Sequence, residues 1–431
     1  MCSRLAAVAA LVLLAVPAAS GAAPRWRMIP TSGGTPREGA ALVYLPGANT
    51  PLLAFGCKSG ICQYGETGTT YGDLEVLESG AWQAVTSSAA PNPRFGVAYA
   101  PTADGRALVF GGNIVDPGTN AVGNTDETWI GGTGGWTQVT TSTQPPALRF
   151  AAMAFDSAHG REVLFGGRDS SNGDDAATWA FNLANDAWLE LSPGGGSDPP
   201  GRMGAGLAYE PNSSGGVVWL YGGQQGGTSF DDLWRFDCTA GDATDCAWTQ
   251  VQKSGTWPPP LDGVTFTWDD ARNAAVLFGG EAFGDPSTDG VYGDTWEWNG
   301  SRWSKVDVSG PSARYDHAAT YDSGHQRLLV YGGIADQSSS ASSELWSYED
   351  SSVTTPDGGS GSGGDGGNVT GTDGGSGSGG NDGGSGGTGP SGTGDSGTSP
   401  HGQYGCQCQT FPPEAFAAGL VLLLAFRRRR A

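Results

Sequence analysis

The chain has 431 residues, a formal net charge of −22, seven cysteines, four histidines and 74 glycines. So acidic a balance excludes a nucleic-acid surface, which needs a basic patch, and fits a soluble protein working outside the cell. Much of the glycine lies in one tract. The remainder is rich in Trp, Tyr and Phe and poor in Met and Lys, so it predicts an all-β domain of short strands packed through aromatic faces.

In chain order, the first 23 residues have the layout of a secretory signal peptide. Arg4 supplies the positive start, residues 5–16 the apolar core and residues 18–23 a small-residue cleavage zone. The apolar run is too short to span a membrane. Export permits disulfides, and the nearby pairs Cys57/Cys62 and Cys238/Cys246 flank Gly-containing turns. Two local disulfides are expected, a zinc site built from the four being the alternative.

Residues 24–353 repeat one pattern. An apolar-aromatic run ends in Gly-Gly at Phe110-Gly111-Gly112, Phe165-Gly166-Gly167, Tyr221-Gly222-Gly223, Phe278-Gly279-Gly280 and Tyr331-Gly332-Gly333. The second glycines are spaced 55, 56, 57 and 53 apart, and an earlier copy, Phe55-Gly56, has Cys57 in the second-glycine place. Upstream of each doublet stands an Arg before a small-residue strand, as in Arg149-Phe150-Ala151-Ala152. Downstream come an acidic-aromatic strand, as in Asp294-Thr295-Trp296, and a Trp opening an alternating strand, as in Trp303-Ser304-Lys305-Val306. Four short strands per unit make one propeller blade.

These residues resemble the kelch repeat, which implies a six-bladed β-propeller with four antiparallel strands per blade. The sixth unit stops after Glu344-Leu345-Trp346-Ser347-Tyr348. The N-terminal Trp26-Arg27-Met28-Ile29 has the pattern of the missing last strand, so it is expected to complete that blade and close the ring.

Arg37, Arg94, Arg149, Arg202 and Arg314 take the same place in five units, with Asp262 near it in the fifth. They read either as a ring at the channel mouth binding carboxylate or sulfate groups, or as architecture that holds the blades together through loop carbonyls. The recurrent acids Asp73, Asp126, Asp175, Asp232, Asp294 and Glu344 read as turn caps. Asp285 and Asp289 share a loop that could hold calcium, although no metal or other cofactor is expected. No copper-ligand set or sialidase box is present, so no catalytic residue is assigned. An undetected carboxylate pair for glycoside cleavage would be hidden by the repeats.

Residues 354–403 are nearly all Gly, Ser, Thr and Asp, too polar to offset ordering entropy, so they are expected to form a flexible linker. Residues 404–431 carry Cys406 and Cys408, then an apolar stretch at 415–426, then Arg427 to Arg430. That order resembles the MYXO-CTERM sorting tails, although the apolar stretch is shorter than the ~20 residues that cross a bilayer. The resemblance implies processing near Cys406 by a membrane-bound sorting protease. It also implies attachment at a bacterial cell surface or outer membrane, or release outside the cell. A simple tail anchor is the alternative. The expected function is non-enzymatic binding or adhesion to an extracellular protein or glycan. A surface carbohydrate-active enzyme (hydrolase or oxidase) or a structural surface component are the alternatives.

Overall fold

Short runs rich in Val, Leu, Phe, Tyr and Trp are punctuated by Gly, Asn and Asp at positive φ, so each run has room for one strand and must then turn. The computed structural model describes residues 23–351 apart from 59–69, 88, 116–121, 193, 195–196, 212, 214, 239–244, 285–289 and 336–339. The chain divides into two units, residues 1–361 and 362–431, and every described residue lies in the first. Regular structure among these residues is entirely β-strand.

Six four-stranded antiparallel sheets are formed in sequence. Their first strands are Ala41–Leu45, Ala98–Pro101, Ala152–Asp156, Gly206–Glu210, Thr265–Asp269 and Ala318–Asp322. Each of these six touches the next, and the sixth touches the first, so they form a closed ring around a central channel. The expected closure is seen: Pro24–Ile29 pairs with Leu345–Asp350, from Pro24 opposite Asp350 to Ile29 opposite Leu345, and supplies the outer strand of the sixth sheet.

Neighbouring sheets are joined by one repeated aromatic contact. The Trp of each outer strand meets an aromatic residue at the end of the second strand of the preceding sheet, Phe55 standing one residue past that end in the first sheet. The pairs are Trp82–Tyr331, Trp136–Phe55, Trp188–Phe110, Trp248–Phe165, Trp303–Tyr221 and Trp26–Phe278, with ring centroids 4.9–6.2 Å apart. Burying such rings contributes more than any other single side chain could. Three of the indoles also donate to a threonine hydroxyl on the preceding sheet: Trp26 to Thr295, Trp188 to Thr128 and Trp248 to Thr178, at 2.8–2.9 Å. Trp82, Trp136 and Trp303 instead pack in core clusters with Leu345, Leu74 and Leu233, and their buried Nε1 atoms have no acceptor. Leucine there trades a hydrogen bond for apolar contact.

The glycine doublet answers to the same packing. At Gly222 an added Cβ would lie 2.3 Å from the Leu261 carbonyl oxygen of the next sheet, so only glycine admits that approach. The following Gly223 N–H then donates to that carbonyl at 2.8 Å. The first unit departs from the spacing reading by one residue. Ala54 pairs with Ala41 as Phe110 does with Ala98, so Phe55 (φ 62°) takes the first-glycine place and Gly56 (φ 95°) the second. Phe55 thereby supplies from the glycine position the ring that Ala54 lacks.

One core position breaks the pattern. Glu162, in the second strand of the third sheet, is fully buried with neither carboxylate oxygen hydrogen-bonded. Burial, and then the nearby Asp156, push its carboxyl well above the ordinary range.

Removing residues 20–29 exposes the Leu345–Asp350 edge and empties the Trp26 site against Phe278 and Tyr348. The truncated chain is expected to lose its cooperative thermal transition; melting indistinguishable from the parent would refute the closure.

Candidate ligand-binding site

Sheet packing fixes where the recurrent arginines point. Arg37, Arg94, Arg202 and Arg314 are buried, and each donates its Nε–H to the carbonyl two residues earlier. Their Nη1 groups donate to the carbonyls of Phe55, Gly111, Gly222 and Gly332, at the first place of the doublet, over 2.8–3.1 Å. Each also pairs with an acid of its own sheet: Arg37 with Asp73 and Glu75, Arg94 with Glu127, Arg202 with Asp232, and Arg314 with Glu344. Carbonyls and carboxylates therefore engage these four guanidinium groups within the fold.

The structure also realigns the column. The second glycine of each doublet donates to the carbonyls of Arg94, Leu148, Arg202, Leu261, Arg314 and Arg37 in turn. The equivalents in the third and fifth sheets are thus Leu148 and Leu261, while Arg149 and Asp262 stand one residue further on. The acids follow suit. Where Arg is replaced by Leu148 the acidic place is taken by Ala177, and where it is Leu261, Asp294 turns to Lys305 at 2.8 Å. In the second sheet the acid is Glu127, and Asp126 accepts from Gln144 instead. Asp175 alone keeps the expected turn-capping role, accepting from the Ala177 N–H at 2.6 Å.

Just inside that column lies the channel mouth. Backbone N–H groups of Gly39, Gly96, Phe150, Gly204, Gly263 and Asp316 each donate to the carbonyl of the equivalent residue in the preceding sheet. The circuit closes through the sixth sheet, with N···O distances of 2.7–3.0 Å. All six residues have positive φ, between 52° and 67°. Glycine accepts that conformation freely; Phe150 and Asp316 do so at a cost of order 1–3 kcal/mol each. Phe150 lies beside Gly96 and the Asp316 carboxylate beside Gly263, so an added Cβ at those glycines would meet them within about 3 Å.

Above this circuit the residues differ from sheet to sheet. The six positions after the arginine column are Glu38, Phe95, Arg149, Met203, Asp262 and Tyr315. Each pairs with the residue after a doublet: Cys57, Asn113, Arg168, Gln224, Glu281 and Ile334. Glu38, Asp262, Glu281 and Asp316 gather on the side of the first, fifth and sixth sheets. Burial pushes Glu38 up to about 7 and Asp262 up to about 6, the latter although Ser229 and Gln224 donate to it. Glu281 is raised to about 9 by burial and then by Asp316, Asp262 and Glu38. Asp316 is raised well above the ordinary range by burial, Glu38 and Asp262. Opposite them, Arg168 is paired with Asp174 at 2.7 Å, and the half-buried Arg149 reaches Asn172 at 3.3 Å.

Below the circuit, a cavity of about 450 Å³ runs along the inner strands and ends among Tyr44, Phe155, Tyr209, Trp268 and Tyr321. Tyr99 crosses it from the second sheet to the sixth, accepting from the Ala319 N–H at 3.0 Å; burial raises its hydroxyl to about 12. Spacing alone would not have revealed the mouth acids, which break the repeat. Comparing units for the residues that differ, once the register is known, is the signal that finds them.

Cys238 and Cys246 are disulfide-bonded as expected. Cys57 is also disulfide-bonded. Cys62, Cys406, Cys408, Asp285, Asp289 and the expected signal, linker and sorting segments lie outside the described residues.

A ring of antiparallel sheets, doublet turns and interlocking tryptophans defines a β-propeller, and the comparisons support a propeller similar to those built of kelch repeats. The family described as Attractin/LZTR1 beta-propeller matches residues 162–355. Kelch repeat-containing protein 2 of Saccharomyces cerevisiae is 28% identical over 229 residues, 51% of this chain; the match spans 24% of that relative's length. The solved structure described as Structure of YjhT is similar with a TM-score of 0.55 at 14% identity, over 72% of this chain and 95% of that one, a likeness of fold.

Two outcomes follow. Arg202→Ala leaves a buried Asp232 without its partner and should lower unfolding free energy by about 3 kcal/mol, whereas Arg149→Ala should change it by about 1 kcal/mol or less; urea titration of both variants checks this. The mouth acids have folded-state pKa values raised above their unfolded ones, so they contribute stability that is full below about pH 4.5 and lost as pH rises through 6–9. The melting temperature should fall across that window, and the double change Glu38→Gln, Glu281→Gln should flatten the fall.

Proposed function

We propose that the chain is an exported six-bladed kelch propeller, held at a bacterial cell surface through its processed C-terminal segment. It acts there as a non-enzymatic binding or adhesion module for a protein or glycan. The six sheets and their closed inner ring support the blade count. One observation carries the functional reading: positions that repeat are engaged in architecture, while those bordering the channel mouth differ in every sheet. A scaffold whose residues differ around one mouth presents a recognition face there. Of the five arginines, Arg149 is the one left at that face. Surface display rests on the resemblance of the terminal segments to exported, sorted proteins.

A second reading, a surface carbohydrate-active enzyme, is favoured by the asymmetric acids at the mouth, since carboxyls with separated pKa values suit acid–base work. One assay separates the two. The full chain is incubated with a panel of polysaccharides and with acidic and basic peptides, and both binding and product release are scored. Binding without turnover, weakened at least tenfold by Asp316→Asn, is expected. Turnover abolished by the same change would replace the binding module with the enzyme.

A further inference from the structure

No described cation is hydrogen-bonded to the carboxylates at the mouth, although the charge of Arg168 acts on Asp262. Asp262 and Glu281 face each other through two backbone hydrogen bonds of 2.8 and 2.9 Å, and Asp316 donates to Gly263, the residue after Asp262. Gly39, next to Glu38, donates in turn to the Asp316 carbonyl. The backbone circuit therefore brings four acids from three sheets to one place. The nearest cation, Arg168, is held by Asp174, and His317 beside Asp316 is buried and neutral, its pKa lowered to about 3.

Glu38 supplies an independent sign of a missing partner. It is 4% exposed, and its Oε2 is buried without any hydrogen bond. Its charge acts on both Glu281 and Asp316, and its neighbour Gly39 is bonded to the Asp316 carbonyl, so Glu38 lies within electrostatic reach of the cluster. Leaving a buried carboxylate oxygen unpaired carries a desolvation penalty that an arriving donor would offset.

We propose that this cluster receives a primary ammonium group, the side chain of a lysine on a protein partner. The inference rests on the binding-module reading and names its ligand chemistry. Size and spacing select the donor. Glu38, Asp262 and Glu281 are 4%, 4% and 8% exposed, so the cluster is recessed, and of its four acids Asp316 borders the channel cavity. Among the described residues no three acids stand at a spacing that holds a metal ion. A lysine ammonium is a compact charge with three donors on a four-carbon stem. On its unbranched stem it suits a recess that an amine carried on a sugar ring cannot enter. The half-buried Phe150 beside the cluster gives the stem an apolar wall.

The test is calorimetric titration of the full chain with acetyl-Gly-Gly-Lys-Gly-Gly-amide, with the same peptide acetylated on the lysine amine, and with a glucosamine oligomer. The lysine peptide should bind, and acetylation should weaken it at least tenfold. Glu38→Gln should do the same while leaving the urea midpoint at neutral pH unchanged or higher. Glu281→Gln serves as a second variant should Glu38→Gln fold poorly. Equal binding of the acetylated peptide, preference for the glucosamine oligomer, or no binding of the lysine peptide at millimolar concentration overturns the inference. If another ligand of the panel binds with no response to Glu38→Gln, the binding module stands and the ammonium site falls. If nothing binds, both fall.

Discussion

A sheet with two apolar faces cannot stand alone in water, and every other feature of this molecule answers to that constraint. Each sheet buries its faces only against its neighbours, so the series is stable only when it closes. The N-terminal strand is the closing element, since Trp26 makes for the sixth sheet the contact that Trp82, Trp136, Trp188, Trp248 and Trp303 make for the others. The same demand for close approach excludes side chains at the doublets and draws the buried arginines onto the doublet carbonyls.

Closure also concentrates strain and charge at one end of the channel. Six backbone hydrogen bonds run in a circuit there, and each requires a left-handed residue. Four are glycines. The remaining two, Phe150 and Asp316, hold side chains over a narrow opening, where a ring and a carboxylate have no architectural need to be. Glycine at the third and sixth places would relieve that strain, so the presence of Phe150 and Asp316 there points to recognition.

The arginine column shows how repetition and function separate. Arg37, Arg94, Arg202 and Arg314 pair with acids across their own sheets, and where the arginine becomes Leu148 or Leu261 the acid disappears or turns elsewhere. Arginine and acid change together because a buried guanidinium without a carboxylate, or the reverse, costs several kcal/mol. One residue further on, no such coupling operates between sheets, and Glu38, Arg149 and Asp262 are free to differ.

By itself the sequence determined the strand content, the repeat length and the strand that pairs back onto the last sheet, because alternation, doublet turns and tryptophans are local and recur at fixed intervals. Even the short cysteine spacing at Cys238 and Cys246 was enough to place a disulfide. Only the tertiary structure decided register within a unit, and with it which residues face one another. Arg149 and Arg202 look alike in sequence. A single-residue offset, visible only through the carbonyls of Leu148 and Arg202, places one at the mouth and the other in the core. The acids of the mouth come from distant parts of the chain, at 38, 262, 281 and 316. They share one environment solely because the ring brings its first, fifth and sixth sheets together, and no local pattern records that meeting.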